Sequence, residues 1–221
     1  MNELYTIRPA VNTKETGSAY PQAGLTLNYN RKSPNSIRNL KSCELPSFEP
    51  NFNYFELKMN ANTTDLLSAS MSLYGLMISK KLKFLLLLFD LQEFKLFDVP
   101  VLTPFESYQY YWLHFGPTDI LKKVNYPESE FSLYEFGAKK ENISINSFED
   151  FTLILKSISN MSYIKAEKIT LFTLPTYDLF VIPLIDGQYI ISNKLKNEIE
   201  RSKLTGIEIK PASHIKILNN H

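Results

Sequence analysis

The sequence is poor in the residues that build catalytic and metal chemistry. Only one of its 221 residues is cysteine, Cys43, which excludes an intramolecular disulfide and a metal site built on thiolates. The three histidines, His114, His214 and His221, are scattered and lack the company that metal ligation needs. Seven glycines argue against a glycine-rich phosphate loop, and no P-loop, dinucleotide fingerprint or nucleophile elbow is present. The longest apolar run, Phe84 to Phe89, has six residues, far short of the roughly 20 that span a bilayer. Charge of one sign is also missing. The chain has 24 basic and 23 acidic residues, a net charge of +1, and no long run of either. A nucleic-acid partner held by phosphate contacts normally requires a basic patch, so none is expected. The start, Met-Asn-Glu-Leu-Tyr-Thr-Ile-Arg, lacks the basic beginning and apolar core of a signal peptide. A cytoplasmic protein without membrane partner or cofactor is therefore the expectation.

What is present is enough apolar material for a packed core, 44% hydrophobic against 21% charged. The chain is organised around Ile190-Ile-Ser-Asn-Lys-Leu-Lys-Asn-Glu-Ile-Glu-Arg-Ser-Lys-Leu-Thr-Gly-Ile-Glu-Ile-Lys-Pro211. It reads as strand, serine cap, short helix, glycine, strand. The stretch from Met77 to Leu96 matches it without a gap, 113 positions earlier. Ile78 falls on Ile191, Ser79 on Ser192, Lys81 on Lys194, Leu82 on Leu195, Lys83 on Lys196 and Leu96 on Ile209. The apolar residues before each serine suit buried strands. Ser79 and Ser192 suit helix N-caps, because a hydroxyl accepts a free N–H of the first turn. Gly206 suits the left-handed residue that closes a helix. The first copy has Glu93 there, so its exit must differ. Phe84 to Phe89 is apolar all round, which predicts a buried helix. The second helix is amphipathic, with Leu195 and Ile199 inward and a Lys196–Glu200 pair outward. A duplication is the reading; coincidence of a common local pattern is the alternative.

Residues 1–50 hold Pro9, Pro21, Pro34, Pro46 and Pro50 among turn formers. They predict an irregular arm packed on the core, with one short strand near Gly24 to Asn28. Residues 51–221 predict a single domain carrying the duplication at about 75–100 and 188–211. Phe52 to Met59, Tyr74 to Ile78, Glu93 to Leu102, Glu167 to Leu174 and Asp178 to Ile185 predict strands. Pro183 gives the last an edge position or a bulge, and Asp186-Gly187 signals a hairpin. Thr63 to Met71 predicts a short helix, Asp119 to Val124 a helical turn, Ser147 to Leu155 a helix or strand, and Ile215 onward a last strand. The fold class is α+β: mixed, mainly antiparallel sheets with a few short helices and two similar strand–helix–strand units.

Two places are candidates for partner contact. As a strand, Ser107 to Phe115 puts Tyr108, Tyr110, Trp112 and His114 on one face. Tyr and Trp are enriched at interface hot spots and are equally good core residues with a polar tip. Core is the first reading and interface the second. The loop Asn125 to Phe131 carries Glu128 and Glu130. Paired acids can perform acid–base catalysis, but these have no nucleophile or metal ligand beside them, so solvated charges are the plainer account. Ser79 or Ser192 with His114 would make a nucleophile–base pair only at the expense of the caps.

The pieces Gly75-Leu-Met-Ile-Ser-Lys-Lys-Leu, Tyr110-Tyr-Trp-Leu-His-Phe, Asn125-Tyr-Pro-Glu-Ser-Glu-Phe, Tyr189-Ile-Ile-Ser-Asn-Lys-Leu-Lys and Leu204-Thr-Gly-Ile-Glu-Ile resemble immunity protein 43, a bacterial family found beside toxins of contact-dependent polymorphic systems. The likeness covers most of the chain after about residue 60. It implies a non-enzymatic inhibitor that binds a cognate toxin protein one to one. It marks no binding residues. A small cytoplasmic enzyme and an adaptor protein are the alternatives, and the enzyme predicts a deep pocket gathering polar groups from both copies.

Overall fold

The computed structural model describes residues 3–70, 74–184 and 188–218. In chain order the elements are β1 (Leu4–Pro9), β2 (Ala23–Leu25), β3 (Phe55–Leu57), β4 (Leu66–Leu67), β5 (Gly75–Ser79), α1 (Lys80–Leu86), β6 (Phe94–Leu102), β7 (Ser107–Phe115), β8 (Glu130–Glu135), β9 (Ala138–Ile143), α2 (Phe148–Ser157), β10 (Ser162–Leu171), β11 (Leu179–Val181), β12 (Tyr189–Ser192), α3 (Asn193–Arg201), β13 (Ile207–Pro211) and β14 (Ile215–Ile217). Three sheets result, with strand orders β2-β3-β6-β7-β5-β4, β11-β12-β1-β13 and β14-β10-β8-β9. The pairs β3–β6 and β10–β14 are parallel; the other strand pairs are antiparallel. The fold is α+β, as the sequence predicts.

The repeat is structural, and it is longer than the sequence alone reveals. β4, β5, α1 and β6 form one unit; β11, β12, α3 and β13, 113 positions on, form the other. In the first unit β7 lies between β5 and β6, with Ile78 opposite Tyr111 and Leu96 opposite Leu113. In the second unit β1 takes that place, with Ile191 opposite Tyr5 and Ile209 opposite Ile7. Residues 4–9 therefore stand where 110–115 stand. The N-terminal strand completes the C-terminal unit, which corrects the expectation of an irregular arm over residues 1–50. The remainder of that stretch does wrap the core, and β2 falls where a short strand is expected.

Each unit has the same serine cap. Ser79 and Ser192 lie in extended backbone and accept the Leu82 and Leu195 N–H groups, both at 3.1 Å. Each hydroxyl in turn donates to an aspartate 14 residues upstream, Ser79 to Asp65 at 2.7 Å and Ser192 to Asp178 at 2.6 Å. These two aspartates are also 113 apart. The other oxygen of each carboxylate takes a backbone N–H from the opposite unit: Thr205 on Asp65 at 2.9 Å, Asp90 on Asp178 at 3.2 Å. Reciprocal contacts of this kind are what a two-fold relation between like units produces. A lysine sits over a tyrosine ring in both, Lys83 over Tyr111 and Lys196 over Tyr5.

Strand alternation sends every second residue to each face, and both faces are buried. Leu66, Leu76, Ile78 and Leu113 of one unit meet Leu179, Tyr189, Ile191 and Ile7 of the other, with Leu82, Leu86, Leu195 and Ile199 from α1 and α3 in the same core. The outer face of the first unit, with Met77, Phe97, Tyr110 and Trp112, is covered by Tyr29, Ile37, Leu40, Phe52 and Phe55 from the N-terminal region. That of the second, with Leu4, Phe180 and Ile190, is covered by β8, β10 and α2 through Phe131, Ile164, Ile169 and Phe151.

Several expectations are corrected. Residues 63–70 form no helix; Leu66 and Leu67 are an edge strand, each buried on a different face, and sheet packing overrides local propensity. Gly206 is not the helix cap: α3 ends at Arg201, and Lys203 is the left-handed residue, with φ 48°. Gly206, at φ 72°, enters β13, where a Cβ would overlap the Thr64 side chain and lie 2.7 Å from the Leu66 carbonyl. The Asp186-Gly187 turn lies outside the described residues, though β11 and β12 pair as a hairpin requires and β11 is an edge strand. Ser147 caps α2, which settles that segment as helix.

Desolvation holds the His214 imidazole below its ordinary value of 6.5, and its buried Nε2 has no hydrogen-bond partner among the described residues. The unfolded chain therefore takes up a proton more readily. Stability falls as pH drops through the unfolded value near 6.5. Urea unfolding at stepped pH is expected to show that slope, and His214→Gln to flatten it.

Candidate partner-binding surface

The structure separates the residues singled out from the sequence. Tyr110, Trp112 and His114 are buried at 4%, 2% and 0% exposure. They are core, and a rigid partner cannot reach them. Tyr110 donates to the Thr64 carbonyl at 2.9 Å, and burial pushes its pKa up to about 12, so it stays neutral. His114 Nε2 lies 2.9 Å from the Glu44 carbonyl, and the Trp112 ring packs 5.5 Å from Phe52. Tyr108 is half-buried at the strand's start and its hydroxyl donates to Glu106 at 2.5 Å. The strand itself is as expected; the reason its aromatic face is hidden is the N-terminal region folded over it.

Glu128 and Glu130 are exposed. Glu130 pairs with Lys168 at 2.8 Å, an exposed contact worth about 0–1 kcal/mol. The Glu128 carbonyl accepts from Thr170 at 2.9 Å. Glu130 edges a cavity of about 440 Å³ that also gathers Lys139, Asn142, Asn146 and Glu167. A second cleft of about 260 Å³ is lined by strands of both units, with Arg8 as its only charged residue among the described ones, and Arg8 is already paired with Glu208. Ser79 and Ser192 are occupied on both sides of their hydroxyls, and neither touches His114. Among the described residues no three His, Cys, Asp or Glu side chains form a metal-binding group. Burial raises the Cys43 thiol above its ordinary range, away from thiolate chemistry.

The surface that stands out is on α1, where the sequence predicts burial. Leu82, Leu85 and Leu86 do face the shared core. Phe84, near the end of α1, and Leu87 and Leu88, in the turn that closes it, do not: they are 57%, 47% and 78% exposed. A two-turn helix resting on a sheet hides only one side, so an all-apolar run must expose the rest. Spaced i, i+3 and i+4, the three lie on one stripe, with Lys80 one turn before Phe84. The second unit supplies an internal comparison. At the corresponding positions α3 carries Asn197, Glu200 and Arg201, all exposed. The fold evidently accepts polar residues there, so architecture alone does not call for the apolar stripe of α1. That mismatch, at an offset of 113, was the signal available in the sequence.

Comparison with family models and with curated proteins gives no match to this chain. No described helix is long and apolar enough to cross a membrane.

Proposed function

We propose that the chain is an immunity protein that binds a cognate bacterial toxin in the cytoplasm and neutralises it by occupying it, without catalysis, and that α1 is its docking face. Two things support the reading. One is the resemblance to the immunity protein 43 family carried by the repeat, Tyr110 to Phe115 and Asn125 to Phe131. The other, which carries it, is the exposed Phe84–Leu87–Leu88 stripe where the twin helix is polar. Large apolar side chains that the fold does not need outside are what an interface core consists of. Burying one such side chain contributes about 1.5–3 kcal/mol, and a few anchors of that size dominate an interface.

The twin helix specifies the test. Phe84→Asn, Leu87→Glu and Leu88→Arg transplant the α3 surface onto α1. The triple variant should keep its thermal midpoint within a few degrees, because no buried residue changes. Coexpressed with the toxin-like product of the adjacent reading frame, the parent should restore growth. The variant should fail, with binding weakened by at least about 100-fold, or roughly 2.8 kcal/mol. Full protection by the variant moves the docking face elsewhere. No toxin-like neighbour and no rescue by the parent removes the immunity reading.

A further inference from the structure

We infer that the surface docking on α1 is a protein surface that is apolar at its centre and acidic at its rim. This rests on the reading of α1 as the docking face and adds the partner's chemistry. The observation is a difference in charge between the two helices. Over 80–88 the first carries Lys80, Lys81 and Lys83 and no acid; over 193–201 the second carries Lys194, Lys196 and Arg201 with Glu198 and Glu200.

The lysines of the second helix are neutralised within the chain. Lys194 pairs with Asp178 at 3.3 Å and Lys196 with Glu200 at 3.0 Å. Their counterparts Lys81 and Lys83 reach no carboxylate among the described residues. Lys81 donates to the Ser202 carbonyl at 3.0 Å, Lys83 lies 3.7 Å from the Tyr111 ring centre and Lys80 5.9 Å from that of Phe84. The residue facing Lys196 is Glu200; its equivalent facing Lys83 is Leu87. Leu87 of the stripe thus stands where Glu200 does, and core-facing Leu85 stands where Glu198 does. Three cations thus border three exposed apolar side chains, with no carboxylate in ion-pair contact among the described residues.

A partner that buries the stripe must desolvate or face these ammonium groups, and opposite charge at the rim is what makes that favourable and fast. A second copy of the chain brings the same cations and is disfavoured. A lipid surface matches the sign, but interfacial helices use a longer apolar face than three side chains on a short helix. Lysines held on a carbonyl and on aromatic rings also suit a shaped surface better than a fluid one.

The experiment follows backbone amide signals of 80–90 in the intact protein. Two designed helical peptides share a Leu/Phe stripe and differ in flanks, one Glu and one Lys. The Glu peptide should shift the α1 signals and bind at least about tenfold tighter than the Lys peptide. Raising salt from about 0.1 M to about 1 M shortens the screening length from about 10 Å to about 3 Å and should erase the preference. Lys80→Glu with Lys81→Glu should reverse it. Equal binding of both peptides at α1 overturns the acidic rim and leaves the docking face standing. Movement of neither set of α1 signals overturns both. Flotation with phosphatidylserine vesicles that Leu88→Arg abolishes, or a dimer in sedimentation that the same change dissolves, assigns the face to lipid or to a second copy and overturns the inference.

Discussion

Deleting residues 1–9 should abolish the cooperative native state. β1 is an inner strand of its sheet, paired with β12 on one side and β13 on the other. β13 has no other sheet partner among the described residues, so the deletion strips it of that ladder. It also removes Ile7 from the shared core and Leu4 from the outer one, at 2% and 8% exposure. Total stability of a domain this size is about 5–15 kcal/mol. The loss of two ladders and two buried aliphatic side chains consumes most of it. Circular dichroism during thermal unfolding should show no transition, or one broad and early. Because the strand is one contiguous segment, a synthetic peptide of residues 1–12 added in excess should restore the transition by strand addition. The same peptide with Ile7→Asp should not, since it would place a charge in the shared core. A truncated protein that unfolds at the parent's midpoint would show that the second unit stands without its borrowed strand.

The second large effect is expected at the paired aspartates. Asp178 receives the Ser192 hydroxyl, the Asp90 N–H and Lys194. Asp65 receives the Ser79 hydroxyl and both the N–H and hydroxyl of Thr205. Each therefore holds its own helix cap and the exit segment of the opposite helix. Asp178→Ala should cost about 2–4 kcal/mol, more than the roughly 1 kcal/mol of a lone cap, because partly buried donors are left without an acceptor. Asp65→Ala should behave alike. The two sites grip the same interface from opposite ends, so the double variant should depart from additivity by at least about 0.5 kcal/mol. Urea unfolding of the four proteins measures this. A strictly additive pair would mean that the clasps act independently. Asp→Asn at either site keeps an acceptor and should lose less.

Much of this was legible locally. The serine caps, the Lys196–Glu200 pair, the strand of Ser107 to Phe115 and the last strand near Ile215 depend on neighbours within a few residues, and hydroxyl geometry or alternation is enough to place them. The aspartates were not recognised because their partners lie 14 residues downstream, at the caps, and across the interface. The aromatic face of Ser107 to Phe115 stayed open between two readings for a related reason. Tyr110, Trp112 and His114 make a good surface or a good core, and only the segment from Tyr29 to Phe55 folding over them decides which.

By itself the sequence determined that this is an α+β chain with two serine-capped units, because period, capping and turn chemistry act over one or two turns of backbone. Tertiary structure alone decided that β1 is the missing strand of the distant unit, that Asp65 and Asp178 lock the units together, and that one side of α1 meets solvent. Those outcomes depend on which surfaces are covered by segments up to two hundred residues away, and coverage is a property of the packed whole that no local pattern encodes.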